Sequence, residues 1–211
     1  MSENHPTEIK HITVGPLATN CFVLFSSDNK AVIIDPGFEG EKIIDACKNK
    51  EVTHVLLTHG HYDHVSAVDY IRERTGAKVI IHKDDIYLYN EAHKMALLLG
   101  IDADPLNDPD ILLEDERLPK DLPLDFEVLH TPGHSPGGVS YILDNHLFAG
   151  DTLFNGSIGR CDLPGGDFSE IQTSLKKLIL LDDNLIVYPG HGPFSTLKEE
   201  KEINPYLLEL C

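Results

Sequence analysis

The segment Thr58-His59-Gly60-His61-Tyr62-Asp63-His64 places four metal-binding side chains between a predicted strand and a predicted helix. The apolar run Val55-Leu56-Leu57 before it predicts a buried strand, and Val65 to Arg74 after it predicts a helix. Residues i and i+2 of an extended chain point the same way, so His59 and His61 can bind one metal ion together. Asp63 and His64 follow once the chain has begun to turn, and they face a different point. The spacing therefore predicts two adjacent metal sites.

Bulk composition narrows the class of protein. The chain has 211 residues, 41% of them hydrophobic, and we expect residues 1–211 to form a single domain. The formal net charge is −18, spread along the chain, which argues against a nucleic-acid partner. The polar N-terminus, Met1 to Pro6, predicts no signal peptide, and no apolar run is long enough to cross a membrane. The four cysteines, Cys21, Cys47, Cys161 and Cys211, lie far apart and are predicted to be free thiols in a cytoplasmic protein.

Hydrophobic alternation and turn residues predict two successive halves, each with strands followed by helices. In the first half we predict strands at Glu8 to Val14, Asn20 to Phe25, Ala31 to Ile34 and Lys78 to Ile81, and helices at Glu41 to Lys48 and Lys83 to Tyr89. In the second half we predict strands at Asp125 to His130, Gly138 to Leu143, His146 to Ala149 and Leu185 to Val187, a helix at Phe168 to Leu181, and a helical tail from Thr196 to Leu210 broken at Asn204-Pro205. This order predicts an α+β fold in which two mixed sheets pack face to face with helices outside.

The segment Glu91 to Leu99 has near-helical apolar spacing and is closed by Gly100. A loop rich in aspartate and proline, Asp102 to Asp110, follows it. Two interpretations remain open at this point: a helix that packs on the core beside a surface loop, or a lid over the metal cleft.

Three further turns repeat the arrangement of a strand followed by a ligand in a Gly- or Pro-rich turn. They are Thr131-Pro132-Gly133-His134, Ala149-Gly150-Asp151 and Tyr188-Pro189-Gly190-His191. Tight turns at strand ends bring such side chains to one edge, so His134, Asp151 and His191 are further candidate ligands. The other histidines lack this setting and are predicted to be surface or structural residues: His5, His11, His54, His82, His93, His130 and His146.

The order of these ligands resembles the metal-binding pattern of the metallo-β-lactamase superfamily. The resemblance implies an αββα sandwich with two divalent metal ions in a cleft between the sheets. It places one ion on His59, His61 and His134, the other on Asp63, His64 and His191, and Asp151 between them. Asp35 matches an acid that orients a ligand histidine, with a plain turn aspartate as the alternative. Imidazole and carboxylate ligands favour zinc, and the same set accepts iron or manganese.

Within that superfamily, Gly150 to Phe154 and Gly159-Arg160 look most like the glyoxalase II group, which hydrolyses S-acylglutathione thioesters. Tyr188 to Pro193 and Asn204 to Tyr206 resemble short bacterial glyoxalase II-like hydrolases. The resemblance gives Arg160 a role in binding glutathione, and an ordinary surface arginine is the alternative. Glyoxalase II enzymes use a helical C-terminal domain for much of this contact, whereas only residues 192–211 follow the last ligand. The hydrolytic centre therefore carries over better than the substrate.

These residues lead us to expect a thioester hydrolase in which a hydroxide shared by two ions attacks the carbonyl, with Asp63 and Asp151 needed for catalysis. A thiol has a pKa of about 8.5 and can leave as thiolate without a dedicated acid. Persulfide dioxygenases also resemble this family and bind one iron through two histidines and an aspartate, for which His59, His134 and Asp151 are available. Hydrolysis of another small substrate is a further alternative. β-Lactam hydrolysis is disfavoured because no export signal is predicted, and a purely structural metal site usually closes with four ligands and favours cysteine.

Overall fold

The computed structural model describes residues 5–210 and arranges them in two β-sheets between two layers of helices. The strands are β1 (Glu8–Val14), β2 (Thr19–Phe25), β3 (Lys30–Ile34), β4 (Glu51–Leu56), β5 (Lys78–His82), β6 (Ile111–Leu113), β7 (Glu127–His130), β8 (Val139–Leu143), β9 (His146–Gly150), β10 (Leu153–Phe154), β11 (Ser157–Ile158), β12 (Ile186–Pro189) and β13 (Ser195–Thr196). The helices are α1 (Gly40–Ala46), α2 (Tyr62–Val65), α3 (Val68–Thr75), α4 (Ile86–Leu98), α5 (Phe168–Leu178), α6 (Leu197–Ile203) and α7 (Pro205–Leu208), and a 3-10 turn at Lys83–Asp85 precedes α4.

The two sheets differ in strand direction. The first has the order β1-β2-β3-β4-β5-β6, with antiparallel pairing from β1 to β3 and parallel pairing from β3 to β6. The second has the order β13-β12-β9-β8-β7, in which only β12 and β9 run parallel. A separate hairpin is formed by β10 and β11. Because β4, β9 and β12 each end in a parallel pair, their C-terminal turns are free to carry functional side chains.

Apolar side chains form three layers of core, which explains why the sheets stack between helices. Residues of both sheets, such as Phe22, Leu56 and Tyr141, fill the space between them. The outer face of the first sheet packs on α1, α3 and α4, and that of the second packs on α5, α6 and α7. Strand β2 is buried along its whole length, since both of its faces are covered. The predicted αββα sandwich is confirmed.

The predicted elements agree with the observed ones within a few residues, apart from two regions of helix. The predicted helix from Val65 to Arg74 is instead two helices, α2 and α3. The reason is that the Ala67 amide donates to the carbonyl of Pro36 at 2.9 Å, which interrupts the helical ladder. The helices predicted at Lys83 to Tyr89 and at Glu91 to Leu99 are one continuous helix, α4, because Tyr89, Ala92 and Ala96 continue a single buried face.

Helix α4 and the loop after it are fixed on the first helical layer. The Tyr89 hydroxyl donates to the Asn107 carbonyl at 3.0 Å, and the Asn107 amide donates to Asp69 of α3 at 2.8 Å. Arg72 of α3 donates to the carbonyl of Asp108 at 2.8 Å. Within Glu91 to Leu99 itself, Ala92 and Ala96 are buried in the core, which favours the core-packing interpretation over the lid.

Four short strands, β6, β10, β11 and β13, were not predicted from the sequence. Each has only two or three residues and depends on a partner strand for its conformation, so it shows no periodicity of its own. Cys21, Cys47 and Cys161 are free thiols as predicted, and Cys211 lies outside the described residues. Within residues 5–210, no helix is both long and apolar enough to cross a membrane.

Candidate metal centre

The candidate ligands lie in turns at the C-terminal ends of four strands. The turn after β4 carries His59, His61, Asp63 and His64, the last two in α2. In the second sheet, His134 follows β7, Asp151 follows β9 and His191 follows β12. The two packed sheets thus bring these seven side chains together at one edge, and five of the seven residues are buried, while Asp151 and His191 are partly exposed.

The first group consists of His59, His61 and His134. Nδ1 of His61 and Nε2 of His134 are 2.9 Å apart, and one ring nitrogen from each of the three residues lies within 4.8 Å of the others. His59 contacts both of the other rings edge to face. Three imidazole nitrogens that face one point can bind a single ion.

The second group consists of Asp63, His64 and His191. Nε2 of His191 lies 3.1 Å from Oδ2 of Asp63 and 3.3 Å from Nε2 of His64. The His191 side chain is 26% exposed, compared with 8% for Asp63 and 0% for His64. Solvent therefore reaches this group from the side of His191.

Asp151 lies between the two groups. One oxygen, Oδ2, is 3.4 Å from Nε2 of His134, and the other, Oδ1, is 3.4 Å from Nε2 of His64. Strand β12 can approach this carboxylate only because residue 190 is glycine: a Cβ there would lie 2.1 Å from Oδ1 of Asp151. A carboxylate in this position can contact an ion in either group or in both.

Asp35 forms three hydrogen bonds with the turn after β4. Its carboxylate accepts hydrogen bonds from the Thr58 amide at 2.8 Å, the Thr58 hydroxyl at 2.6 Å and Nδ1 of His64 at 2.9 Å. Asp35 has a φ of 51°, in the left-handed region that non-glycine residues rarely adopt. An aspartate that only formed a turn, which was the alternative interpretation, would make no hydrogen bond to a ligand histidine. Asp35 orients His64 with Nε2 toward the second group.

Besides His64, whose Nδ1 donates to Asp35, three other ligand histidines have Nδ1 hydrogen-bonded on the side away from the group they face. Nδ1 of His134 donates to the Arg160 carbonyl at 2.8 Å, and Nδ1 of His191 donates to the Leu17 carbonyl at 3.0 Å. Nδ1 of His59 lies 3.0 Å from the Thr58 hydroxyl, which in turn donates to Asp35. With Nδ1 protonated, the Nε2 lone pair is available to a metal ion.

Some buried polar atoms of the site have no hydrogen-bond partner and are suited to bind a metal ion. Nε2 of His59 and Oδ1 of Asp151 are buried and make no hydrogen bond to any described residue. A buried polar atom without a partner is costly, and a cation among these atoms would satisfy both. The cluster is of the kind that holds divalent metal ions.

A family model for the metallo-beta-lactamase superfamily matches residues 14–191, which include every one of these ligands. The chain belongs to the metallo-beta-lactamase superfamily. Among curated members it is similar to a probable metallo-hydrolase, YqgX, of Bacillus subtilis, with 38% identity over 94% of this chain and 96% of the relative. It is also similar to the hydroxyacylglutathione hydrolase GloC of Haemophilus influenzae, with 35% identity over 94% and 97%.

Solved structures of the metallo-beta-lactamase superfamily give the same fold. BLEG-1 B3 metallo-beta-lactamase aligns with a TM-score of 0.88 and 38% identity over 95% of this chain and 99% of that one. TTHA1623 in a di-iron-bound form aligns with a TM-score of 0.87 and 38% identity over 94% and 100%. ETHE1 from Myxococcus xanthus aligns with a TM-score of 0.78 and 27% identity over 94% and 84%.

The charge state of this superfamily site without metal follows from burial and from its carboxylates. Burial and the neighbouring histidines hold the pKa of His59 well below its usual range, and burial lowers the pKa of His61 to about 3. Burial also disfavours a charged His64, but Asp63, Asp151 and Asp35 outweigh it and raise the pKa of His64 to about 10. Asp63 is buried too, yet His64 and His191 hold its pKa well below the usual range. Without metal, His64 is therefore an imidazolium ion beside ionised Asp63.

Arg160 contacts the site through its backbone carbonyl, while its side chain contacts Asp162. The guanidinium forms two hydrogen bonds of 2.7 Å to Asp162 and is 61% exposed. Its carbonyl accepts the hydrogen bond from His134. Substrate binding by Arg160, which the family resemblance implies, stays a prediction, whereas the contact of its carbonyl with His134 is visible only in the structure.

Two residues at the site were missed by sequence reasoning. The Thr19 hydroxyl donates to Oδ2 of Asp63 at 3.1 Å, and the buried carboxylate of Asp85 contacts both turns of the first group. No local pattern marks Thr19, and Asp85 is one of several acids in its segment. Both act through contacts between residues at least 25 positions apart.

The remaining described histidines lie away from the ligand cluster, and two of them stack. The rings of His82 and His130 lie 4.3 Å apart at 16°, near Asp84. One ring nitrogen of each histidine and one carboxylate oxygen of Asp84 lie within 4.8 Å of one another, at a place apart from the seven ligands. Nε2 of His130 donates to the Pro136 carbonyl at 3.0 Å, consistent with the predicted structural role.

Proposed function

We propose that this metallo-beta-lactamase superfamily member is a binuclear metal-dependent hydrolase, with zinc as the preferred ion, of S-acylglutathione or a related small thioester. The observation that carries the proposal is the presence of two ligand groups joined by Asp151, since two groups with a shared carboxylate suit a pair of ions. The similarity to a relative named hydroxyacylglutathione hydrolase, along nearly the whole of both chains, supports the thioester substrate. His59, His61 and His134 would hold one ion, and Asp63, His64 and His191 the other.

When bound, divalent ions supply Lewis acidity and lower the pKa of water from near 16 to about 7. The protein's own part is to fix and neutralise the surroundings. Thr19 donates a hydrogen bond to the Asp63 carboxylate and holds it in one orientation, and the low pKa of Asp63 keeps it ionised. Asp63 is thereby placed to accept a hydrogen bond from the attacking water and to orient it.

The leaving group distinguishes thioesters from amides at this site. A thiolate departs without a proton because the pKa of a thiol is about 8.5, whereas an amine needs protonation as the bond breaks. Asp63, the acid best placed at the site, is held ionised and therefore carries no proton to donate. The charge state of the site thus favours a thioester.

Arg160 is proposed to bind the carboxylates in the thiol portion of the substrate. Its guanidinium would leave Asp162 to form this new ion pair. Changing Arg160 to Ala is expected to raise KM for S-lactoylglutathione about tenfold with little change in kcat, because it removes binding that substrate and transition state share equally. The matched variant Asp162→Asn releases the guanidinium and is expected to lower KM. Steady-state kinetics of both variants measure this, and an unchanged KM in both would make Arg160 an ordinary surface residue.

Two other activities form arms of the same test. One is persulfide dioxygenation, for which a single iron would be held by His59, His134 and Asp151, three side chains that lie together at the site. The other is β-lactam hydrolysis, which is favoured by the similarity to BLEG-1 B3 metallo-beta-lactamase. Both would use residues that the proposed thioesterase also needs.

The test pairs metal content per chain, on protein purified without added metal, with three assays. About two ions per chain and hydrolysis of S-lactoylglutathione are the expected result. One iron per chain with oxygen consumption on glutathione persulfide would replace the proposal with a dioxygenase. Hydrolysis of a chromogenic cephalosporin without thioester turnover would replace it with a β-lactamase.

A further inference from the structure

Asp85 is a buried carboxylate that neither binds the candidate metal centre nor serves its own helix. It is fully buried and stands directly before α4, where an aspartate commonly accepts hydrogen bonds from the first turn of the helix. Its side chain makes no such cap. Since burying a carboxylate is costly unless it is hydrogen-bonded, its partners indicate what it does.

Those partners belong to the two turns of the first ligand group. Oδ2 of Asp85 accepts hydrogen bonds of 2.8 Å from the amide of Gly60 and of 2.8 Å from the hydroxyl of Ser135. Oδ1 accepts a hydrogen bond of 2.5 Å from the amide of Gly137. Gly60 stands between His59 and His61, while Ser135 and Gly137 follow His134. One carboxylate therefore joins the turn after β4 to the turn after β7.

The approach of both turns to Asp85 is too close for any side chain. A Cβ on Gly60 would lie 2.8 Å from the Asp85 carbonyl oxygen, and a Cβ on Gly137 would lie 2.6 Å from the Asp85 amide nitrogen. Both neighbours are backbone atoms, which cannot move aside as a flexible side chain would. The two turns are thus packed directly on residue 85, and its carboxylate sets their separation.

The second ligand group is held differently. Asp35 accepts a hydrogen bond from His64 itself, and Thr19 donates one to Asp63 itself. Within residues 5–210, the hydrogen bonds of the Asp85 side chain go to Gly60, Ser135 and Gly137, and none goes to Asp63, His64 or His191. The second group therefore makes no use of Asp85, and a change at residue 85 should be felt by the first group only.

We propose that Asp85 is a positioning residue that holds the His59-His61 turn and the His134 turn in the relative position in which their three imidazoles meet at one metal ion. This inference rests on the metal centre of the proposed function. It concerns the assembly of one of the two sites and not the reaction.

The experiment measures metal binding by metal-free protein, prepared with a chelator, for the wild type and two asparagine variants. Asp85→Asn removes the carboxylate with little change of volume. Asp84→Asn makes the same charge change at the neighbouring residue, whose side chain is 48% exposed and contacts neither turn. Zinc is titrated against a competing chromophoric chelator, and the melting temperature of each metal-free protein is recorded.

Asp85→Asn is expected to lower the affinity for one of the two ions about 10- to 100-fold, the usual effect of losing a residue that orients metal ligands. The affinity of Asp85→Asn for the other ion should equal that of the wild type. Asp84→Asn should bind both ions with wild-type affinity. Adding Asp85→Asn to His191→Ala should weaken the remaining ion, whereas adding it to His134→Ala should change nothing. If Asp85→Asn does not fold, Ser135→Ala removes a single hydrogen bond and should weaken the same ion by a smaller factor.

Two results would overturn the inference. One is wild-type affinity for both ions in Asp85→Asn. The other is equal weakening of both ions with a lower melting temperature of the metal-free protein, which would make Asp85 a general structural residue. A wild-type protein that binds no metal would instead refute the proposed function, so the two failures can be told apart.

Discussion

Asp151 is the residue on which the two ligand groups depend together. Its oxygens are 3.4 Å from ring nitrogens of His64 and of His134, each in a different group. Asp35 also lies near one histidine of each group, His59 and His64, but it contacts Nδ1 of His64, the ring nitrogen that faces away from the ligand groups. A change at residue 151 should therefore affect both proposed ions at once.

We expect Asp151→Asn to lower thioester turnover more than about 100-fold, because loss of a metal ligand exceeds the effect of losing a residue that only orients one. Far-ultraviolet circular dichroism should be unchanged, since the side chain lies in a turn. Glu202→Gln, which changes an exposed acid of α6, is the control. Wild-type turnover in Asp151→Asn would refute its role.

His64 makes metal binding depend on pH. Its pKa is raised to about 10 without metal, because Asp63, Asp151 and Asp35 outweigh burial, while a metal ligand must be neutral. An ion bound by His64 must displace this proton at any pH below about 10. Affinity for that ion should rise about tenfold per pH unit up to that point, and binding should release a proton.

Calorimetric zinc titrations in two buffers of different ionisation enthalpy, at several pH values between 6 and 9, measure this release. Asp35→Asn removes one of the carboxylates that raise the pKa of His64, so its pH dependence should shift to lower pH. Affinity that does not change over this range would contradict the expectation.

At the scale of elements, the last two helices support the wall of the site. Asn204, fully buried, ends α6 and begins α7, and its side-chain amide donates to the Ser157 carbonyl at 3.0 Å. Glu200 of α6, also buried, accepts a hydrogen bond from the Gly156 amide at 2.9 Å. These contacts hold the β10–β11 hairpin, which connects Asp151 to Arg160.

Replacing Asn204 with Ala should reduce the free energy of unfolding by about 1–3 kcal/mol, because it removes a helix cap and leaves buried carbonyls without a donor. Urea unfolding of the metal-free protein measures the change. Glu202→Ala, an exposed position on the same helix, should stay within about 0.5 kcal/mol of the wild type. Equal stability of the two variants would show that the tail is not needed to hold the hairpin.

At the scale of the whole molecule, the proposed ions would connect the two sheets. The first sheet supplies His59, His61, Asp63 and His64, while the second supplies His134, Asp151 and His191. Each ligand group therefore contains residues from both sheets. Metal binding should therefore stabilise the packing of one sheet on the other.

Free zinc at 100 times its dissociation constant should stabilise the folded protein by about 2.7 kcal/mol per ion. For a chain of this size, that raises Tm by about 5–10 °C. Calorimetric scans before and after chelation with EDTA measure the difference, with calcium-loaded EDTA as the control. A Tm unaffected by chelation would contradict metal binding at this site.

The sequence by itself determined the αββα fold and the residues that meet at the site. Strand periodicity and turn residues are local, and each candidate ligand stands in a turn directly after an apolar strand, as in Leu57 to His59 and Val187 to His191. Spacing alone also separated His59 and His61 from Asp63 and His64, because the chain changes from strand to helix between them.

Only the tertiary structure decided what holds those ligands in place. Thr19 and Asp85 carry no local signal, since their contacts join residues far apart in sequence. The break between α2 and α3 likewise depends on a hydrogen bond from Ala67 to Pro36, in the loop after β3. Arg160 has its side chain turned to Asp162 and its carbonyl to His134, a division that depends on the packed hairpin. Ligand positions follow from local strand ends, whereas their orientation follows from contacts that exist only once both sheets are packed.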